Sequence, residues 1–291
     1  GDSLLIFSDA ISSSVTTAGN MERILSFKPD DTTNGDWMNY PLLIDLFRAA
    51  GYRTYWLSNQ ERTGIWSNCS GAMSSRADEI VYAGCDSSED AFLLRYDEVL
   101  LPYLRAAVKD TASAKFIGMH LLGSHTSYAN RFPPERRHFT GSDVMRIASH
   151  RKWMTDAKAR TVADYDNSIR YTDSIVCEAI RLVRNSDRPG LLVYFSDHGE
   201  HVYDSRDFVG RDIGCADVPF VVFVNDAYRE AYPGMVERLK GAIDKPISTA
   251  NIIHPLMTLT GVRYPYYNAE NDFLSPQFVV RKRYVDEKLL K

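Results

Sequence analysis

Gly190-Leu191-Leu192-Val193-Tyr194-Phe195-Ser196-Asp197-His198-Gly199-Glu200-His201 is the stretch that decides how this chain is built. Its first half is a short apolar run of strand length, the pattern of a buried strand. Its second half turns abruptly polar and sets a carboxylate beside an imidazole at the strand's carboxyl end. Open α/β sheets keep their binding sites there. Adjacent residues on an extended strand point to opposite faces, so Asp197 and His198 converge on one ion only if the chain turns, which Gly199 permits. A bare Asp-His-Gly also fits an ordinary strand-to-loop junction; the full string is more specific.

Working outward, residues 4–7, 54–57, 116–122 and 218–224 are further apolar runs of strand type. Helical patterns alternate with them. One covers 41–50 and stops at Gly51; another covers 91–108, interrupted at Pro102. The clearest covers about 161–184, where Val162, Tyr165, Ile169, Thr172, Val176, Ile180 and Val183 recur at helical spacing and predict the buried face. This alternation predicts a three-layer α/β/α sandwich around a mostly parallel central sheet. Residues 1–291 read as one domain without internal repeats. The longest irregular stretch is 126–160, and a loop of that length in a compact domain is usually functional.

The chain of 291 residues carries a net charge of −4, which argues against a nucleic-acid surface. Apolar content of 44% is ordinary for a globular domain, and no apolar run approaches the ~18 residues that span a bilayer. A monomer is expected. The sequence opens directly inside an apparent strand, as an excised fragment would. Cys69, Cys85, Cys177 and Cys215 form no Cys-x-x-Cys pair, against a zinc knuckle. Cys69 and Cys85 flank a loop-like stretch and are the expected bridge in an oxidising compartment. Cys177 falls in the long helical pattern, where burial as a small hydrophobe is expected.

Two more constellations can carry chemistry. Gly118-Met119-His120-Leu121-Leu122-Gly123-Ser124-His125 places His125 just past a strand, at the same sheet edge as Asp197 and His198. A neutral imidazole there can ligate a metal, and a protonated one can donate to a leaving group. His120, inside the apolar run, reads as a core histidine. Arg131 has the planar fork that pairs phosphate. The tract Ser12-Ser13-Ser14-Val15-Thr16-Thr17-Ala18-Gly19-Asn20 precedes a helical pattern, as N-caps do. A helix N-terminus also holds anions, and a hydroxyl there beside a divalent metal can attack phosphorus or sulfur. Spacing alone does not choose between the hydroxyls.

These elements, in this order, resemble the alkaline-phosphatase/sulfatase superfamily, and within it the periplasmic domain of bacterial phosphoethanolamine transferases. The matching strings are Ser196-Asp197-His198-Gly199-Glu200, His120 to His125 with Tyr128 and Arg131-Phe132-Pro133, and the tract from Asp164 to Asp173. The resemblance implies a threonine nucleophile that also ligates zinc; its place before the helix gives Thr17, with Thr16 as the neighbour it can be confused with. It implies zinc, one ion or two, on Asp197 and His198, and a donor-binding or second-metal role for His125. Glu200 and Arg131 join it on the substrate side. The implied reaction moves phosphoethanolamine from phosphatidylethanolamine to lipopolysaccharide at the periplasmic face of the inner membrane, to which upstream helices would anchor the protein.

Two departures accompany the match. The family's zinc-binding glutamate stands in an upstream Gly-Glu-Ser motif, which Gly1-Asp2-Ser3 echoes too close to Thr17. Gly210-Arg211 stands where a Gly-His pair is usual. A formylglycine sulfatase would need Cys/Ser-x-Pro-x-Arg, which the Thr17 region lacks. A phosphoglycerol transferase, a phosphodiesterase and a non-catalytic interaction domain remain as rivals.

Overall fold

The computed structural model describes residues 4–29, 35–62, 68–84, 95–286 and 288–289. It has the expected α/β fold. In chain order its strands include β1 (Leu4–Ile6), β2 (Ala10–Ile11), β3 (Arg53–Ser58), β4 (Glu79–Tyr82), β5 (Lys115–His120), β6 (Leu191–Phe195), β7 (His201–Val202), β8 (Val209–Gly210), β9 (Phe220–Val224) and β10 (Ile247–Ser248). The helices include α1 (Thr17–Ile24), α2 (Leu43–Ala49), α3 (Asn68–Ser74), α4 (Leu101–Lys109), α5 (Gly141–Ala148) and α6 (Asp156–Arg184).

Two three-stranded sheets form the centre. In one, β3 pairs in parallel with β4 and with β5. In the other, β9 lies between β1 and β6 and is antiparallel to both, Phe223 standing opposite Leu4 and Leu192. The parallel character expected from the sequence thus belongs to the first sheet. The second departs from it because residues 196–219 return from β6 to β9 without a crossover helix, and a parallel neighbour needs one. Val222, Phe223 and Val224 of β9 are at most 1% exposed, as a strand covered on both faces should be.

Helix α6 begins at Asp156, where the Thr155 side chain caps it by accepting from Lys158 N at 3.3 Å. Its buried stripe matches the hydrophobic spacing only in part: Thr172 and Ile180 are buried as predicted, and Val162, Tyr165, Val176 and Val183 are half-buried. Ala159, Ala163, Asn167, Ser168, Tyr171, Ile175 and Ala179 face inward, whereas Ile169 is 47% exposed. Small residues let the neighbouring backbone approach, and Asn167 fixes it: Oδ1 accepts from His138 N (2.7 Å) and Phe139 N (2.9 Å). Part of that neighbour is α5, a helix inside the stretch expected to be irregular. It starts with a capping box between Thr140 and Asp143.

Pro102 does not interrupt a helix; it sits in the first turn of α4, where its missing N–H costs nothing. Cys177 is exposed rather than buried, because it lies on the outer face of α6. Cys69 is buried, but Cys85 lies outside the described residues, and so does the bridge expected between them. Gly1-Asp2-Ser3 lies outside them as well. No described helix is long and apolar enough to cross a membrane.

Candidate active site

The hydroxyl tract ahead of α1 is a folded loop clamped by one side chain. Asn20 is fully buried. Its Oδ1 accepts from Ser13 N (3.0 Å) and Ser14 N (3.1 Å), and its Nδ2 donates to Ser14 O (2.6 Å) and Thr16 O (3.0 Å). Gly19 lets the loop close on the helix, since a Cβ there would stand 2.5 Å from Ser14 Oγ. Thr16 is the N-cap, its hydroxyl accepting from Gly19 N at 3.3 Å. The Thr17 hydroxyl is left to face outward from the helix end, and it lies 3.5 Å from His198 Nε2.

Asp197 and His198 reach this point because the chain leaves β6 at Phe195 and turns. Ser196 Oγ holds the turn by donating to His198 O (2.7 Å), and Gly199 N donates to Cys215 O (2.8 Å). The role of Gly199 is this close approach, a Cβ there meeting Cys215 O at 3.1 Å, rather than a left-handed backbone. Asp197 Oδ2 lies 3.5 Å from His198 Nε2. His198 Nδ1 is 2.9 Å from Gly199 O. A carbonyl only accepts, so Nδ1 carries the proton and Nε2 presents a lone pair.

Thr17 Oγ1, Asp197 Oδ2 and His198 Nε2 therefore gather as three oxygen and nitrogen donors, with the histidine tautomer set for ligation. Tetrahedral zinc with bonds of about 2.0–2.1 Å needs donors roughly 3.3–3.4 Å apart. The 3.5 Å spacings on either side of Nε2 fit that requirement.

The other residues singled out in the sequence form an adjoining group. Glu200 accepts from Tyr128 OH at 2.6 Å and pairs with Arg211 Nε at 3.6 Å. Burial, and then the neighbouring Glu200, push the Tyr128 hydroxyl well above its ordinary pKa. His125 follows a turn at Gly123 (φ 60°), and its Nδ1 is buried without a hydrogen-bond partner among the described residues. Burial, aided by Arg131 and Arg211, lowers the His125 pKa and favours the neutral ring. Arg131 is only 2% exposed, and its Nη2 donates to Thr126 O at 3.3 Å, so it supports this loop from beneath. His120 ends β5 with Nδ1 3.5 Å from Ser58 Oγ. Burial brings its pKa down to about 4 against the opposing pull of Asp197.

Two positioning residues escape a reading of the sequence. Asn20 is one. Asp97 is the other: its carboxylate accepts from Leu122 N (2.9 Å), Gly123 N (2.8 Å) and Asn59 Nδ2 (2.8 Å), fixing the loop that presents His125. Asp97 belongs to no motif and acts through partners that only the fold brings near, whereas Asn20 ends the hydroxyl tract and holds the backbone just before it. The nearest sequence signal is the three-residue spacing of Thr17 and Asn20, which puts them on one side of α1.

The fold and this donor set define a sulfatase-type domain. Residues 2–262 match the sulfatase family, and the chain belongs to it. It is similar to phosphoethanolamine transferase EptC of Escherichia coli, 27% identical over 291 residues that make up 97% of this chain and 48% of the relative. Phosphoethanolamine transferase CptA of Salmonella typhimurium is 28% identical over 291 residues, with the same coverage of 97% and 48%. The chain thus spans about half the length of the curated relatives it matches. Among solved structures, the zinc complex of the C-terminal periplasmic domain of Escherichia coli EptC has a TM-score of 0.86 at 24% identity, covering 99% of this chain and 81% of that one. The soluble domain of lipooligosaccharide phosphoethanolamine transferase A from Neisseria meningitidis gives 0.75 at 22% identity, covering 94% and 82%.

Proposed function

We propose that this chain is the catalytic domain of a phosphoethanolamine transferase that works through Thr17. The observation that carries the reading is the Thr17 hydroxyl 3.5 Å from His198 Nε2, with Asp197 beside it. The names of its relatives support the group transferred.

Thr17, Asp197 and His198 would hold zinc, which supplies a Lewis acid that lowers the pKa of a bound hydroxyl. The helix end orients the Thr17 oxygen toward an incoming phosphodiester. Thr17 forms a new O–P bond, the bond from phosphorus to the diacylglycerol oxygen breaks, and the hydroxyl proton ends on the departing diacylglycerol. An acceptor hydroxyl or phosphate of lipopolysaccharide then displaces Thr17 and takes the phosphoethanolamine. His125, favoured neutral, serves the donor as a hydrogen-bond partner. Glu200, held by Tyr128 and Arg211, is the carboxylate that would meet the ethanolamine ammonium, and Arg131 positions the loop that carries His125. The reaction belongs on the periplasmic face of the inner membrane, as for the periplasmic domains this chain resembles.

Peptide mapping by mass spectrometry, after incubation with zinc and phosphatidylethanolamine, tests this. A phosphoethanolamine adduct on Thr17 that is lost in Thr17→Ala is expected. An adduct on Thr16 would move the nucleophile. No adduct from this donor, with a phosphoglycerol adduct from phosphatidylglycerol, would make the domain a phosphoglycerol transferase; no adduct from either would remove the reading.

A further inference from the structure

The segment following the Asp197-His198 turn carries a second group of donors that the proposed transfer does not use. His201 opens β7. Asp212 caps the short turn Ile213–Ala216, its Oδ1 accepting from Gly214 N at 2.7 Å, and Cys215 is buried in that turn. One donor atom from each of His201, Asp212 and Cys215 lies within 4.8 Å of the other two. His201 Nε2 is 3.1 Å from Asp212 Oδ1, and its Nδ1 is 3.0 Å from Asp204 Oδ2. A carboxylate on Nδ1 is the outer partner that metal-ligating histidines use to fix the ring and free Nε2. Gly214 keeps the space beside them open, since a Cβ there would stand 3.0 Å from Asp212 Oδ1 and 3.4 Å from His201 Nε2.

We propose that His201 Nε2, Asp212 Oδ1 and Cys215 Sγ form a second divalent-metal site, separate from Thr17, Asp197 and His198. The mixed imidazole, carboxylate and thiolate set selects zinc or cobalt over magnesium or calcium. Three protein donors leave a fourth position for water. Binding exchanges the Nε2 and Sγ protons for the ion and releases them to solvent. Arg206 pairs with the other oxygen of Asp212 and is half exposed, so its charge competes with the ion only weakly. Because Cys215 O accepts from Gly199 N at 2.8 Å, an ion here would brace the turn that presents Asp197 and His198.

Cobalt titration of the chain under a non-thiol reductant reads this site alone, because the Thr17 site has no sulfur. A thiolate-to-cobalt charge-transfer band in the near ultraviolet is expected, saturating at one equivalent and bleached by zinc. Cys215→Ser should abolish it, whereas Cys69→Ser, Cys85→Ser and Cys177→Ser should keep it. Because Cys215 is buried and its variant can misfold, His201→Gln provides a second arm, expected to weaken cobalt binding at least tenfold with the circular-dichroism spectrum unchanged. No band in the parent chain, a band that survives Cys215→Ser, or an affinity indifferent to His201→Gln in the folded protein would each overturn the site.

Discussion

Thr17 Oγ1 stands 3.5 Å from His198 Nε2, while the hydroxyl of Thr16 is turned into the helix end, toward Gly19 N at 3.3 Å and Ser14 Oγ at 3.0 Å. Under the proposed function the adjacent threonines divide two duties, Thr16 capping the helix and Thr17 carrying the transferred group. Thr17→Ala is expected to abolish transfer with little change in stability. Thr16→Ala should cost about 1 kcal/mol, the worth of an N-cap, and keep the adduct on Thr17. Urea denaturation and adduct mapping of both variants check the division; loss of the adduct in a folded Thr16→Ala would reverse it.

Asn20 satisfies two buried N–H groups and two carbonyls of the hydroxyl loop. Asn20→Ala strips the Ser13 and Ser14 N–H groups of their acceptor, while Ser14 O keeps Ser12 Oγ and Thr16 O keeps the residue-20 N–H, and it is expected to cost about 2–4 kcal/mol. Zinc affinity should fall with it, because Thr17 is no longer held in place. Urea midpoints and zinc titration measure both; unchanged zinc affinity in the folded variant would show that the loop holds itself.

Asp97 plays the same part for the other loop. Asp97→Asn turns one acceptor oxygen into a donor facing the Leu122, Gly123 and Asn59 donors, where the carboxylate now accepts from all three. A loss of about 2 kcal/mol is expected, together with a raised KM for the lipid donor. Equal KM in parent and variant would separate Asp97 from the site.

His254 provides a pH dependence away from the chemistry. It is 7% exposed, and its Nδ1 accepts from Asn268 N at 3.2 Å. Burial lowers its pKa from 6.5 to about 4, against a weaker pull from Asp272. The unfolded chain therefore takes up this proton first as pH falls. Its contribution to stability is full above 6.5 and is lost between there and about 4. His254→Asn, whose Oδ1 can accept the same N–H, should reduce the loss between about pH 7.5 and about pH 5 by roughly 2 kcal/mol. Urea unfolding at the two pH values measures it, and an equal loss in the variant would assign the dependence elsewhere, His120 being the next candidate.

Strands were the most legible part of the sequence: β6 and β9 are both apolar runs, β9 almost wholly buried and β6 half-buried along its length. The long helix was legible in its existence and only partly in its face, Thr172 and Ile180 being buried as the spacing predicts. Hydrophobic spacing favours Ile169, yet packing uses Ala159, Ala163 and Ser168, because a close neighbour needs small residues more than apolar ones. The start of α5 had a readable sign in Thr140 and Asp143, three apart as in a capping box. At the site, Asp197, His198 and the hydroxyl tract stood out by residue type. The choice of Thr17 over Thr16 did not, because it depends on which hydroxyl the cap consumes. Asn20 and Asp97 were silent, since a single polar residue does not announce the backbone it will hold.

The two sheets differ in how far along the chain their partners lie. β3, β4 and β5 pair within residues 53–120, whereas β1 and β9 join residues 4–6 to 221–223. Closure over so long a separation is slow compared with local pairing. Thr17 and His198 are themselves 181 residues apart, on opposite sides of that closure. A refolding chain can thus acquire helices, the parallel sheet and much of its compactness while its hydroxyl and imidazole are still strangers. Return of activity in such an experiment would time the last long-range docking step, not the collapse that precedes it.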